Sequence, residues 1–232
     1  MRLNKVLTIS GVVFECATDA VQLFIHSPGK AQFLIQSDTP VTGLATFDLG
    51  YSNLNLQRYF NGFVESSTAV NAHQQMVHCR EWTALLNMPC PLSVRHCTIP
   101  DVLAAITAKT TLNFVVPEAD YTRVKQPCFY SAANGLYALD HIGKTYQINQ
   151  CMWQQNGDGS VYLGSWDDSF WAAKPINIDP RHFAKIQAGE LKITAIPAVR
   201  PGCLINNRYV SSVQFSDTTM VISCSTQLNA AF

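Results

Sequence analysis

The chain has 232 residues, room for one large domain or two small ones, and its 16 Lys and Arg balance 16 Asp and Glu. Only 14% of residues are charged, against roughly 25% in ordinary globular chains. The zero net charge removes a general electrostatic drive toward nucleic acid, the 47% apolar fraction excludes a disordered polymer, and no apolar run reaches the ~18 residues that a membrane helix needs.

The charge deficit has two readings: a surface shared with other subunits, or a monomer with an uncharged polar surface. The opening segment pairs Arg2 and Lys5 with an apolar run. That run is broken by Thr8 and Ser10, ends at Glu15 and lacks a small-x-small cleavage site, so it reads as a first β-strand rather than a leader.

Residues 1 to 90 are mostly β. Runs 21–25 and 31–35 are joined by Ser27-Pro28-Gly29-Lys30, a hairpin signal, and Thr39-Pro40-Val41-Thr42-Gly43 makes another turn. Runs 44–49, 59–66 and 74–79 follow as strands, and residues 80–86 are expected as a short helix ended by Pro89 and Pro91. The pattern then changes. Thr98 is an N-cap, Pro100 sits in the first turn, Asp101 completes a capping box, and Ile99, Val102, Leu103 and Ile106 fall on one helical face.

A short strand over 112–116 precedes a second helix, from Ser131 or Asn134 to Gly143. Strands over 146–154 and 160–164 are joined by Asn156-Gly157-Asp158-Gly159. The unit 93–170 is thus expected in the order αβαββ. Beyond it, Asp179-Pro180 starts one helical turn, residues 190–196 alternate, Arg200-Pro201-Gly202 is a sharp corner, and strands 203–205, 209–215 and 220–224 suggest a small barrel.

Chemistry-bearing motifs are few. The sequence holds no G-x-S-x-G elbow, H-E-x-x-H, P-loop or dinucleotide glycine set. His78, Cys79, Cys90, His96 and Cys97 form the one metal-like cluster, but adjacent His and Cys on a strand face opposite ways, and no cofactor is expected. The eight cysteines are scattered through strand-like runs and read as buried thiols. Asp140 and His141 are neighbours that a helix would not bring face to face. Asp167 and Asp168 read either as a carboxylate pair or as a turn cap. Trp166, Phe170 and Trp171 in SWDDSFW read either as a stacking platform for a partner or sugar, or as core of the α/β unit.

Two groups of residues carry a likeness. Phe60-Asn61-Gly62-Phe63-Val64, followed by His78-Cys79-Arg80-Glu81-Trp82 and Leu85-Leu86, resembles the first barrel of phage tail hub proteins. The likeness continues through Ser93 to Leu103, which includes Pro100, then Leu112-Asn113-Phe114, Phe129-Tyr130-Ser131, Ala138-Leu139, Trp153 and Asp158 to Tyr162. It ends with Ala198-Val199-Arg200-Pro201-Gly202 and the strand after it. On these residues the chain resembles the baseplate hub or Mu-like tail protein group, related to late control protein D and to the head of type VI secretion spikes.

The resemblance implies an α+β, mainly β fold: two tail-tube-like β-barrel domains, 1–92 and 171–232, with an α/β insertion over 93–170. It implies a homotrimeric ring that joins a six-fold tail tube, or a distal tail ring, to a three-fold spike or fibre and lines the DNA-ejection channel. The protein would be a structural, non-enzymatic part of the virion tail tip, assembled in the host cytoplasm. It would have no membrane span and would not bind nucleic acid sequence-specifically. Phe60, Gly62, Arg80, Pro100, Trp153, Arg200, Pro201 and Gly202 match family landmarks, and their implied role is to shape strands and corners. Two other classes remain beside it: a ring-forming secretion or pilus-assembly binding module, and a tail-associated cell-wall hydrolase using Asp167 and Asp168.

Overall fold

A computed structural model describes residues 2–51, 56–187 and 189–228. The first β segment comprises β1 (Leu3–Ile9), β2 (Val12–Phe14), β3 (Cys16–Phe24), β4 (Lys30–Gln36), β5 (Leu44–Tyr51), β6 (Gln57–Asn71) and β7 (Gln74–Glu81). A 3-10 turn over Trp82–Asn87 leads into β8 (Leu92–Cys97), α1 (Ile99–Thr110), β9 (Phe114–Val115), α2 (Asp120–Arg123), β10 (Gln126–Ser131), α3 (Gly135–Thr145), β11 (Cys151–Gln155) and β12 (Val161–Ser165). The last segment holds β13 (Ala184–Gln187), β14 (Glu190–Thr194), β15 (Leu204–Ile205), β16 (Arg208–Ser216) and β17 (Thr219–Ser225).

The first and last segments form one sheet, in the order β13-β14-β17-β16-β3-β4-β7-β6-β5-β1-β2, with β15 on β16. They meet where β16 pairs antiparallel with β3, Val213 opposite Leu23 and Phe215 opposite Val21. Strand side chains alternate between faces, so these four apolar residues share the inner face. There the sheet curls around one core: Phe47 packs on Phe33 at 5.0 Å and on Phe215 at 5.9 Å between ring centroids. Phe33, Phe47 and Phe215 are fully buried, each contributing roughly 2–3 kcal/mol of burial. Lys5 of β1 reaches the buried Asp19 at 2.5 Å and Asp217 at 3.3 Å, which ties the two segments again. The two β segments were expected as separate barrels; the pairings among the described residues close neither one.

The α/β unit has its own core, built from Ile99, Val102, Leu103 and Ile106 of α1, Ala138, Leu139 and Ile142 of α3, Phe129, Trp153 and Leu163. Leu86 and Cys90 already belong to it, so its packing begins ahead of residue 93. Helix α1 starts as expected: the Asp101 carboxylate accepts from the Thr98 backbone N–H at 2.8 Å and from its hydroxyl at 2.7 Å. Helix α3 starts at the Asn134 cap, whose side chain accepts from Tyr137 N–H, and runs to Thr145 rather than Gly143.

Several expectations need correction. The segment 80–86 is the end of β7 followed by a 3-10 turn. Residues 146–150 are the turn after α3 rather than strand, because Tyr146 and Ile148 bury against the second core without a strand partner. The unit also holds β8 and β10, which pair with each other, and the single-turn α2.

Candidate functional site

Of the residues expected as landmarks, Arg200, Pro201 and Gly202 lie at the seam between the first β segment, the α/β unit and the corner at 200–202. Arg200 is 8% exposed. Its Nη1 donates to the Tyr59 carbonyl in β6, and its Nη2 donates to the Gln155 carbonyl at the end of β11 at 3.2 Å. One guanidinium thus holds main chain from both other segments, with five donors in a fixed fork. Gln155 reinforces the seam: its side chain donates to the Asn61 carbonyl at 2.7 Å and accepts from Thr83 N–H at 3.0 Å.

Beside Arg200 lies Glu81, 3% exposed. Its Oε1 is 3.9 Å from Nη2, and its Oε2 accepts from Gly29 N–H at 2.7 Å. Burial pushes Glu81 up to about 7, against the opposing pull of Arg200 and of the Gly29 N–H. Gly29 lies in the expected hairpin between β3 and β4, where any Cβ would stand 2.7 Å from the Glu81 carboxyl.

The remaining landmarks have legible geometry. Phe60 is fully buried in the sheet core. At Gly62 a Cβ would lie 1.9 Å from the Arg80 carbonyl, so β6 approaches β7 here as only glycine permits. Gly202 has φ +88° and backs onto Trp171, and its carbonyl accepts from Trp166 Nε1–H at 2.8 Å. Pro201 is buried beside it. Trp153, 1% exposed, donates to Asp140 at 2.9 Å, while its carbonyl accepts from His26 N–H at 3.1 Å. Pro100 lies apart, in the first turn of α1. The Arg80 side chain points to the outer face of the sheet, opposite the buried Cys79 and Glu81.

The other candidates take structural positions. Asp168 accepts from the Tyr121 hydroxyl at 2.8 Å, and the Asp167 N–H donates to Ser165 Oγ, so the pair belongs to a capped 3-10 turn. Trp166 is buried edge-on to Tyr209, Trp171 packs against the sheet core, and Phe170 is 61% exposed with the Lys174 ammonium 3.9 Å over its ring. Cys79 belongs to the sheet core, whereas Cys90 and Cys97 belong to the α/β core. Among the described residues no three His, Cys, Asp or Glu side chains converge as metal ligands. Cys128 is exposed, unlike the other cysteines of the α/β unit.

Sequence reasoning missed His26, Glu81 as a buried acid, and Gln155. The His26 side chain is 8% exposed, neither ring nitrogen has a hydrogen-bond partner among the described residues, its φ is +60°, and burial lowers it to about 4. Its Nδ1 is 3.9 Å from Asp140, whose carboxyl is raised by burial.

Solved structures show the same arrangement of elements. The 43 kDa tail protein of prophage MuSo2 from Shewanella oneidensis superposes with a TM-score of 0.69 at 10% identity, over 97% of this chain and 98% of that one. A tail protein from Neisseria meningitidis matches at 0.68 and 10% identity, over 96% of both chains. The fold is that of phage tail proteins. It is shared with an Escherichia coli component of the type VI secretion system described as similar to bacteriophage tail proteins, at TM-score 0.64 and 11% identity, over 94% of this chain and 76% of that one.

In sequence, the chain is 31% identical over 224 residues to a 58.7 kDa protein from the lys 3′ region of Haemophilus phage HP1. That match takes in 96% of this chain, which spans 42% of the phage protein's length. No family model matches.

Proposed function

We propose that this tail-protein fold serves as the structural hub of a tail tip. Three copies form a ring that adapts a six-fold tail tube or distal tail ring to a three-fold spike or fibre and lines the DNA-ejection channel. The chain acts without catalysis, as a part of the virion assembled in the host cytoplasm. In this reading residues 1–92 and 171–232 are the two tube-like halves, and 93–170 is the insertion that braces them. The landmarks Phe60, Gly62, Trp153, Arg200, Pro201 and Gly202 fix how the halves and the insertion meet.

One observation carries the reading. The curled sheet ends in two different edges, β2 and β13, with no further strand paired to either among the described residues. Strand β2 presents Val12 and Val13 at 57% and 67% exposure. Unlike edges at opposite ends of one sheet suit head-to-tail contacts, which close into a ring when the rotation allows. An uncovered apolar edge in a free monomer invites aggregation, and a charge-poor surface suits a permanent interface.

The test is to incubate the purified chain with isolated tail tubes and image them. The reading expects three-fold density capping one tube end, lost in Val13→Lys. Tubes left uncapped at both ends would contradict it.

A further inference from the structure

The outer face of the sheet separates charge in a way that the neutral composition hides. Register places Arg80 of β7 opposite Lys30 of β4, Lys30 opposite Gln22 of β3, Gln22 opposite Gln214 of β16, Gln214 opposite Val221 of β17, and Val221 opposite Lys192 of β14. These residues alternate with core residues such as Ala31, Cys79 and Val213, so all six face outward. At ~4.8 Å per strand the row is roughly 24 Å long, and it contains three cations and no acid.

At its Arg80 end the row opens into a concavity of about 230 Å³ lined by Gln22, Lys30, Gln32, Glu65, His78 and Arg80. Like charges directly opposed across an antiparallel pair repel. Among the described residues neither Lys30 nor Arg80 has an ion-pair partner, and the Arg80 Nε, shielded from solvent, lacks an acceptor. A bound oxyanion between Lys30 and Arg80 relieves the repulsion and accepts charge-assisted hydrogen bonds from both side chains. Glu65, at the bulge in β6, is the one acid at the rim and limits how tightly an anion is held.

We infer that this face binds phosphate oxyanions through Lys30 and Arg80, with glutamine amides and Lys192 continuing the track, and that its ligand is the phosphodiester backbone of DNA. The length of the row favours a polyanion over a single free phosphate. Beyond Arg80 the next strand places Phe63 in the row, but its ring packs on Trp82 at 5.5 Å between centroids, so the cations supply contact to the phosphodiester backbone. The choice of DNA rests on the channel reading given above.

The test measures binding of a labelled 20-base-pair duplex to the purified chain by anisotropy across a salt series, with chain mass recorded in the same samples. Each lost phosphate contact flattens the slope of log affinity against log salt by ~0.9, so Lys30→Gln with Arg80→Gln should flatten it by about two units. Glu65→Gln should tighten binding without changing the fold, which separates an anion effect from damage to the sheet.

No duplex binding, together with millimolar binding of inorganic phosphate by calorimetry that is lost in the Lys30→Gln, Arg80→Gln chain, would assign the site to a free anion and overturn the DNA assignment. Equal salt slopes for wild type and variants would overturn the site altogether. A trimer with equal slopes sinks the anion site and leaves the hub standing. A monomer with the predicted slopes does the reverse.

Discussion

The Arg200 guanidinium and the Glu81 carboxylate sit 3.9 Å apart, both buried, yet neither depends on the other for its hydrogen bonds. Arg200 holds the Tyr59 and Gln155 carbonyls, and Glu81 holds the Gly29 N–H. The two residues therefore clamp main chain at Gly29, Tyr59 and Gln155 side by side, and Arg200 is a fastener before it is an ion-pair partner. Arg200→Ala should cost roughly 3 kcal/mol, since it strands two buried carbonyls. Arg200→Lys should recover little, because an ammonium cannot span both acceptors. Urea denaturation of the two variants checks this; full rescue by lysine would show that charge, not the fork, matters.

Glu81 and His26 give opposing pH trends. Burial pushes Glu81 up to about 7 in the folded chain, from an ordinary 4.5, so its share of stability is full below about 4.5 and is lost as pH rises through 7. Burial lowers His26 to about 4 in the folded chain, from an ordinary 6.5, so its share is present above 6.5 and is lost as pH falls toward 4. The wild type should therefore vary little between pH 4.5 and 6.5. Glu81→Gln should unmask stability that rises with pH over that window, and His26→Gln should unmask stability that falls. Thermal melts across the window decide it; parallel curves for both variants would refute the assignment.

Gly62→Ala should be among the most damaging single-methyl changes. Its Cβ would stand 1.9 Å from a backbone carbonyl that cannot swing away. A loss of about 3 kcal/mol is expected, at the upper end of overpacking effects. Gly11→Ala meets no neighbour but keeps a φ of +85°, so it should cost only about 1 kcal/mol. Equal losses at the two sites would mean that the β6–β7 approach is looser than described.

Phe215 belongs to the last segment, but its ring touches Phe47 and Tyr59 of the first. Phe215→Ala should lower stability by ~3–5 kcal/mol and should do so in one transition, because both segments share one core. Amide exchange resolved by segment is the check. Loss of protection in β14, β16 and β17 alone would indicate two separately folding barrels.

Local signals were legible and long-range ones were not. Thr98, Pro100 and Asp101 announced α1, and Asn156 to Gly159 announced the β11–β12 hairpin, because caps and turns are written in adjacent residues. Strand β8 was missed because Ser93, Val94, Arg95 and His96 carry no apolar alternation; only its ends, Leu92 and Cys97, are buried. Strand β10 was missed because Gln126, Pro127 and Cys128 hide the run that ends in Phe129. The seam was only half visible. Arg200-Pro201-Gly202 stood out as a corner, but the partners of Arg200 are main-chain atoms 141 and 45 residues away, which no spacing rule reaches. The β3–β16 pairing that joins the two β segments was equally out of reach, since register between distant strands leaves no local trace.

The mass of the purified chain in solution tests the three-copy ring most directly. Light scattering over a range of concentrations should give a stable species of three 25.7 kDa chains, reduced to single chains by Val13→Lys at the β2 edge. A wild-type chain that stays at 25.7 kDa at every concentration, and also in the presence of tail tubes, would contradict the account.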